Sequence, residues 1–250
     1  MDIIKKKIRI DGIPAIILGV PSSKVYLYVH GQNGEKEEEY RIAEIICKYG
    51  YQVLSVDLPE HGERKNEINS FDPWHIVPEL NNVMEFAKEH WNRISLFANS
   101  IGAWFSMMSF YNESLDNCLF VSPVLDMRQL ISKMMDWANV SEEQLRQECI
   151  ISTTFGQTLS WKYWEYVLSH PIEKWKIPTK ILYGENDNLI DRDIVEHFAK
   201  KFRCDLTVME NGEHWFHTQE QLEVMQKWLN RSVSNKRMIK KGKEIGIKAK

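Results

Sequence analysis

Ala98-Asn99-Ser100-Ile101-Gly102 follows the apolar run Ile94 to Phe97 and opens into the helix-like run Ala103 to Phe110. A serine between small residues, set in a strand-to-helix turn, is how one sheet architecture presents a nucleophile. The turn is so tight that the residues two before and two after the serine must be small. Ala98 and Gly102 meet that need, and backbone geometry then sets the serine's exposure. An isolated Ser-x-Gly is ordinarily a helix cap and a turn glycine, so its setting and its partners must supply the specificity.

Upstream, Ile8 to Ile10 and Ala15 to Leu18 flank Asp11-Gly12 and predict an antiparallel hairpin. Val25 to Val29 reads as a strand buried on both faces, ending in His30-Gly31-Gln32-Asn33-Gly34. Tyr40 to Tyr49 places Ile42, Ala43, Ile45 and Ile46 on one side of a helix that Gly50 terminates, and strand Gln52 to Val56 follows. After the loop Asp57 to Phe71, Asp72 at the N-cap and Pro73 at the first helical position start a helix to about His90.

Downstream of the serine turn, Cys118 to Val121, Lys180 to Tyr183 and Leu206 to Met209 predict strands, and Asp191 to Phe202 and Thr218 to Leu229 predict helices. Alternating strands and helices imply an α/β fold with a mostly parallel central sheet flanked by helices. Such sheets carry their sites in loops leaving the carboxyl ends of the strands. The interval from Pro123 to Ile177 breaks the rhythm: it has helical patterning, no convincing strand and a crowd of Met127, Met134, Met135, Trp137, Trp161, Tyr163, Trp164 and Tyr166. It reads as a helical cap inserted after the sixth strand. Residues 1–122 and 178–230 then form the core, 123–177 the cap and 231–250 a basic tail. The aromatic and methionine crowd is explained first by packing; any of it facing a cleft would line an apolar acyl or aromatic pocket.

The tail carries eight Lys/Arg against one Glu, which leaves −10 on residues 1 to 230 by subtraction from the net −3. An acidic body argues against nucleic-acid binding as the main function, and the tail reads first as a solvated terminus, with contact to anionic lipid or nucleic acid as the alternative, which no amphipathic face or interleaved aromatic row supports. Met1 to Lys7 lacks the apolar region of a signal peptide, and no run reaches the length of a membrane span. The expectation is a soluble cytoplasmic protein with no stable membrane insertion. Cys47, Cys118, Cys149 and Cys204 have neither zinc nor redox spacing and predict reduced, buried thiols. No metal motif, P-loop or dinucleotide fingerprint occurs, so no cofactor is expected.

A hydrolytic serine needs a histidine base held in the right tautomer by a carboxylate. Asp187 lies in Gly184-Glu185-Asn186-Asp187 after one downstream strand, and His214 lies in Gly212-Glu213-His214-Trp215-Phe216 after the next. The order Ser, Asp, His is the α/β-hydrolase order. With these motifs in sequence, residues 15 to 230 resemble the α/β-hydrolase superfamily, particularly its small bacterial serine esterases with a helical cap. The resemblance implies Ser100 as nucleophile, His214 as general base, Asp187 as orienting acid, and the backbone N–H groups of Gln32 and Ile101 as an oxyanion hole. Asp57-Leu58-Pro59-Glu60-His61-Gly62-Glu63-Arg64 resembles the family's Asp-x-x-Gly-His-Gly-x-Ser loop, with Glu60 and Arg64 replacing Gly and Ser, while Ala98 replaces the first glycine of the elbow.

His217 competes with His214, and Asp126, Asp191 and Asp193 compete with Asp187. His214 and Asp187 are favoured by their positions directly after strands. His30 and His61 read as loop-fixing residues. The expected activity is hydrolysis of a small-molecule carboxylic ester of a small or aromatic-containing acid through an acyl-enzyme, with thioester or amide as alternatives. A serine nucleophile disfavours dehalogenase chemistry. A noncatalytic binding member of the fold is the competing class, motivated by the departures at Ala98, Glu60 and Arg64. An aminopeptidase-like reading would require Glu142, Glu143 or Glu148 to face the cleft, whereas their spacing scatters them around a helix.

Overall fold

The computed structural model describes residues 3–38 and 40–234. Strands β1 (Lys5–Ile10), β2 (Ile13–Leu18) and β3 (Lys24–Val29) precede helix α1 (Tyr40–Lys48) and strand β4 (Gln52–Val56). A single 3-10 turn, Gly62–Arg64, leads to α2 (Pro73–His90), β5 (Arg93–Asn99), α3 (Ile101–Phe110) and β6 (Cys118–Val121). Then come α4 (Met127–Ala138), α5 (Glu142–Glu148), β7 (Ile150–Ser152), β8 (Thr158–Ser160) and α6 (Trp161–Ser169). The chain returns through β9 (Thr179–Gly184), α7 (Arg192–Phe202), β10 (Asp205–Met209) and α8 (Gln219–Val233).

The main sheet has eight strands in the order β1-β2-β4-β3-β5-β6-β9-β10. β1 and β2 pair antiparallel, as do β2 and β4, and every later pair is parallel. Period-two side-chain alternation divides the core between the two faces. Val25, Leu27 and Val29 of β3 belong to one core cluster, with Leu80 and Met84 of α2, Phe105 of α3 and Val195 of α7, while Tyr26 and Tyr28 belong to the other, with Ile42 and Ile46 of α1 and Trp228 and Leu229 of α8. Helices therefore cover both faces, so the central strands need no polar alternation. The sheet order places β5, which carries Ser100 at its end, beside β3 and β6.

Asp72 caps α2 as expected, its carboxylate accepting from the His75 backbone N–H at 2.9 Å, and Pro73 occupies the first turn where no intrahelical N–H bond is lost. Thr218 and Gln221 form a reciprocal capping box on α8. That helix runs to Val233, past the expected end at Leu229, so residues 231–233 belong to it rather than to a tail. The remainder of the basic tail, residues 235–250, lies outside the described residues.

Two other expectations are corrected. Residues 123–177 were expected to hold no strand, yet β7 and β8 form a two-stranded antiparallel ribbon pairing Ile150 with Ser160 and Ser152 with Thr158. Strands of three residues are too short for alternation to register in sequence. Gly156, at φ +92, lies in the connection between them. All four cysteines are free, but Cys149 is exposed and Cys47 and Cys204 are half-buried, leaving Cys118 as the buried one. Among the described residues no helix is long and apolar enough to cross a membrane.

Candidate active site

Ser100 sits between β5 and α3 with φ 51 and ψ −123. A serine in this region is strained by about 1–3 kcal/mol, which the surrounding contacts must hold in place. Its N–H donates to Val121 O at 3.1 Å, and its carbonyl accepts from Ala103 N at 3.1 Å and Val124 N at 3.0 Å. Ala98 is fully buried and paired with Val29 on one side and Phe120 on the other. A Cβ on Gly102 would run into the carbonyls of Val29 and His30, so glycine lets α3 abut the end of β3. The small residues at both positions answer to contacts with neighbouring strands.

The loops after β9 and β10 bring the other two groups to the serine. Ser100 Oγ lies 2.8 Å from His214 Nε2, and His214 Nδ1 lies 2.7 Å from Asp187 Oδ2. Asp187 is buried, and its other oxygen accepts from the backbone N–H groups of Leu189 and Ile190, each at 2.9 Å. An ionised carboxylate only accepts, so Nδ1 of His214 carries the proton and Nε2 is left to accept from the serine hydroxyl. The two loops brace one another: Asn186 N donates to Gly212 O at 2.7 Å and Glu185 N to Met209 O at 2.9 Å. Gly184 permits that approach, since a Cβ there would strike the carbonyls of Gly212 and Glu213.

Competing residues are engaged elsewhere. His217 stacks on Trp215 and faces Glu213 and the Trp215 carbonyl. Asp126 caps α4 by accepting from Gln129 N at 3.1 Å. Asp191 flanks α7 and pairs with Lys133 at 2.7 Å, and exposed Asp193 accepts from Ile194 N at 3.0 Å. Glu142, Glu143 and Glu148 are exposed on α5, the last two accepting from Gln147 and Gln144 of that helix.

The loop after β3 carries Gln32, and Ile101 opens α3, where first-turn N–H groups have no intrahelical acceptor. Gly31 packs against the elbow: a Cβ there would stand 3.0 Å from the Ser100 Cβ. His30 Nε2 accepts from Leu58 N at 3.0 Å, so its Nδ1 carries the proton and donates to Gly31 O at 2.8 Å. Burial lowers the His30 pKa to about 4, holding the ring neutral. His61 repeats the device in reverse, accepting from Asn33 N at 2.9 Å and donating to Pro59 O at 2.8 Å. Each histidine ties one loop to the other.

The two departures in the loop after β4 have structural roles. Glu60, at φ 65 where a glycine is usual, uses one carboxylate oxygen to accept from Ser70 N at 2.8 Å and Phe71 N at 3.1 Å. Arg64 forks onto Glu79 at 2.6 and 2.7 Å and onto Glu67 at 2.8 Å through two nitrogens. No motif in the sequence singles out Lys36, which is 1% exposed and contacts Asp57 at 2.7 Å, or Trp215, 70% exposed and next to His214 in the chain. Among the described residues no cluster of three or more His, Cys, Asp or Glu is placed to hold a metal ion.

The strand order and crossovers are those of the α/β-hydrolase fold, and Ser100, Asp187 and His214 stand at the ends of its β5, β9 and β10. Among solved structures the chain is similar to Est1E from Butyrivibrio proteoclasticus with ferulic acid bound, at 17% identity and TM-score 0.77, covering 92% of this chain and 98% of that one. An esterase from Pyrococcus furiosus superposes at TM-score 0.64 with 18% identity, covering 93% of this chain and 89% of that one. The thioesterase domain from the curacin biosynthetic pathway gives 0.61 at 15% identity, covering 92% and 99%. No family model and no curated relative matches the sequence. The likeness is one of fold.

Proposed function

We propose that the protein is a serine hydrolase cleaving a small-molecule carboxylic ester through an acyl-enzyme on Ser100. The observation that carries this is the unbroken hydrogen-bonded line from Ser100 Oγ through His214 to buried Asp187, at 2.8 and 2.7 Å. A hydroxyl becomes a competent nucleophile when a neutral imidazole takes its proton as it attacks. Ser100 Oγ attacks the ester carbonyl carbon while His214 Nε2 receives the proton. The resulting oxyanion accepts from the N–H groups of Gln32 and Ile101. His214 then protonates the alcohol oxygen, the C–O bond breaks and the alcohol leaves. Water repeats the sequence on the acyl-serine, releasing the carboxylic acid and restoring Ser100. Asp187 keeps Nδ1 protonated and stabilises the imidazolium.

Residues 123–177 serve as a cap that selects the acyl group. An ester of a small or aromatic acid fits best: ferulic acid in the similar Est1E structure is an aromatic carboxylate. A run of rings connects the loop after β4 to residues 123–177: His61 to Phe71 at 4.6 Å, Phe71 to Phe105 at 5.4 Å, Phe105 to Trp104 at 5.2 Å and Trp104 to Tyr163 at 5.9 Å. Purified protein is offered p-nitrophenyl and naphthyl esters, an acyl thioester and a fluorophosphonate probe. Ester turnover and phosphonylation of Ser100, both lost in Ser100→Ala, are expected. An unlabelled, inactive wild type overturns the reading, and a preference for the thioester replaces ester with thioester as the substrate class.

A further inference from the structure

The loop after β3 contains an ion cluster that the ester chemistry does not use. Lys36 is 1% exposed and its ammonium contacts three carboxylates: Asp57 at 2.7 Å, Glu63 at 2.9 Å and Glu37 at 3.1 Å. An ammonium has three N–H donors, so each has an acceptor. The Lys36 backbone N–H also donates to the second Asp57 oxygen at 2.8 Å, and Glu63 N donates to Asp57 at 3.0 Å. Lys7 and Arg9 of β1 neutralise the outer carboxylates, Glu37 at 3.0 Å and Glu63 at 2.9 Å. Three cations thus face three carboxylates in a chain running from the sheet edge to the loop.

Burying a lysine is expensive, and an apolar residue of similar volume often serves stability as well or better. A buried ion pair offers direction instead. Lys36 lies two residues after Gly34, whose N–H together with His30 Nδ1–H holds the Gly31 carbonyl, at 3.2 and 2.8 Å. In a trans peptide the carbonyl and the following N–H point in opposite directions. Fixing Gly31 O therefore fixes the aim of the Gln32 N–H. Asp57, fully buried at the end of β4, is the anchor. Both of its oxygens are taken up by Lys36 and Glu63, and a Cβ on Gly62 would collide with its carboxylate.

We propose that Lys36 is a positioning residue: through Asp57 it clamps the loop after β3 against the loop after β4 and so aims the Gln32 N–H at the oxyanion. The proposal rests on the ester-hydrolase reading of Ser100. Removing one oxyanion donor outright costs about 10²–10³ in kcat, so a misaimed donor is expected to cost about 10–100-fold. Because that bond strengthens only in the transition state, kcat should fall with KM within about twofold.

The test compares the wild type with Lys36→Met and with Lys36→Met/Asp57→Asn, which removes the charge pair together and avoids an unpaired buried carboxylate. Steady-state kinetics on a p-nitrophenyl ester is read beside amide hydrogen exchange by mass spectrometry. Both variants should lose 10–100-fold in kcat, with faster exchange in peptides covering residues 30–38 and 57–64 and none in those covering 185–190. A double variant that folds with unchanged kcat and unchanged exchange at residues 30–38 overturns the proposal. So does a parallel rise in exchange throughout the chain, which marks general destabilisation. A wild type without ester turnover overturns the esterase reading instead, and the exchange arm then decides whether Lys36 holds the loop.

Discussion

The two halves of the site are held by different means. On the acid–base side, the loops after β9 and β10 are joined chiefly through backbone, Asn186 N to Gly212 O and Glu185 N to Met209 O, with Asn211 N on the Glu185 carboxylate as a side-chain tie. On the side proposed for the oxyanion, side chains join the loops after β3 and β4, through His30, His61 and Lys36. Backbone bonds persist whatever residue occupies a position, whereas an imidazole or ammonium link vanishes with a single substitution, and an accepting imidazole nitrogen also loses its bond on protonation. Substitutions remote from substrate should therefore be silent on one side and costly on the other, unless they remove a reacting group.

The largest effects are expected on the acid–base side, from the reacting groups. Ser100→Ala and His214→Ala should each lower kcat by about 10⁶-fold, and the double variant by no more than either, because the residues act as a unit. Asp187→Asn should lose about 10⁴-fold, since the amide no longer selects the Nδ1–H tautomer. Burst and steady-state kinetics on a p-nitrophenyl ester measure all four. Additive losses in the double variant would break the view that this half is one device.

This half was the more legible in sequence. Ser100, Asp187 and His214 each follow a strand recognisable from its apolar run, and a position directly after a strand carries most of the geometry. His30 and His61 were legible as loop-fixing residues from their places in two motifs, though their mutual arrangement was not. Lys36 was invisible because Glu35-Lys36-Glu37-Glu38-Glu39 reads as a solvated charge run. Its burial comes from Asp57, 21 positions away in sequence. The ribbon of β7 and β8 escaped for the opposite reason, being too short to carry any period. Glu60 and Arg64 registered only as departures, since their partners Ser70, Phe71 and Glu79 lie in the loop's return and in α2.

The oxyanion side should also be the acid-sensitive one. Burial lowers the His30 pKa from 6.5 to about 4, so between those values the unfolded chain binds a proton that the folded chain refuses. Stability then rises with pH across this window and is lost on acidification, by up to about 3 kcal/mol once pH falls below 4. Urea unfolding at pH 7, 5.5 and 4.5 reads the slope. His30→Asn should be less stable at pH 7 yet lose less between pH 7 and 4.5 than the wild type does. Equal losses in the two proteins would remove His30 as the source of acid sensitivity.

The smallest expected effect sharpens the comparison at the point where the halves meet. Ser100 belongs to both: its hydroxyl faces His214, while its backbone holds φ 51 and ψ −123, the conformation that would let the Ile101 N–H of the proposed oxyanion hole face the same carbonyl oxygen as the Gln32 N–H. If the strain of that conformation is carried for the site rather than for the fold, relieving it should stabilise the protein. Ser100→Gly tolerates the same φ without a Cβ penalty, and should raise the unfolding free energy by up to about 1–3 kcal/mol relative to Ser100→Ala. The extra backbone freedom of glycine in the unfolded chain takes back part of the gain. Alanine is the right reference because it keeps the strained backbone and removes the same hydroxyl. Thermal or urea unfolding of the two inactive variants isolates the backbone term. A glycine variant less stable than the alanine one by the usual cost of glycine would show that the elbow stores no strain, and that its geometry is simply the one in which β5, α3 and β6 pack best.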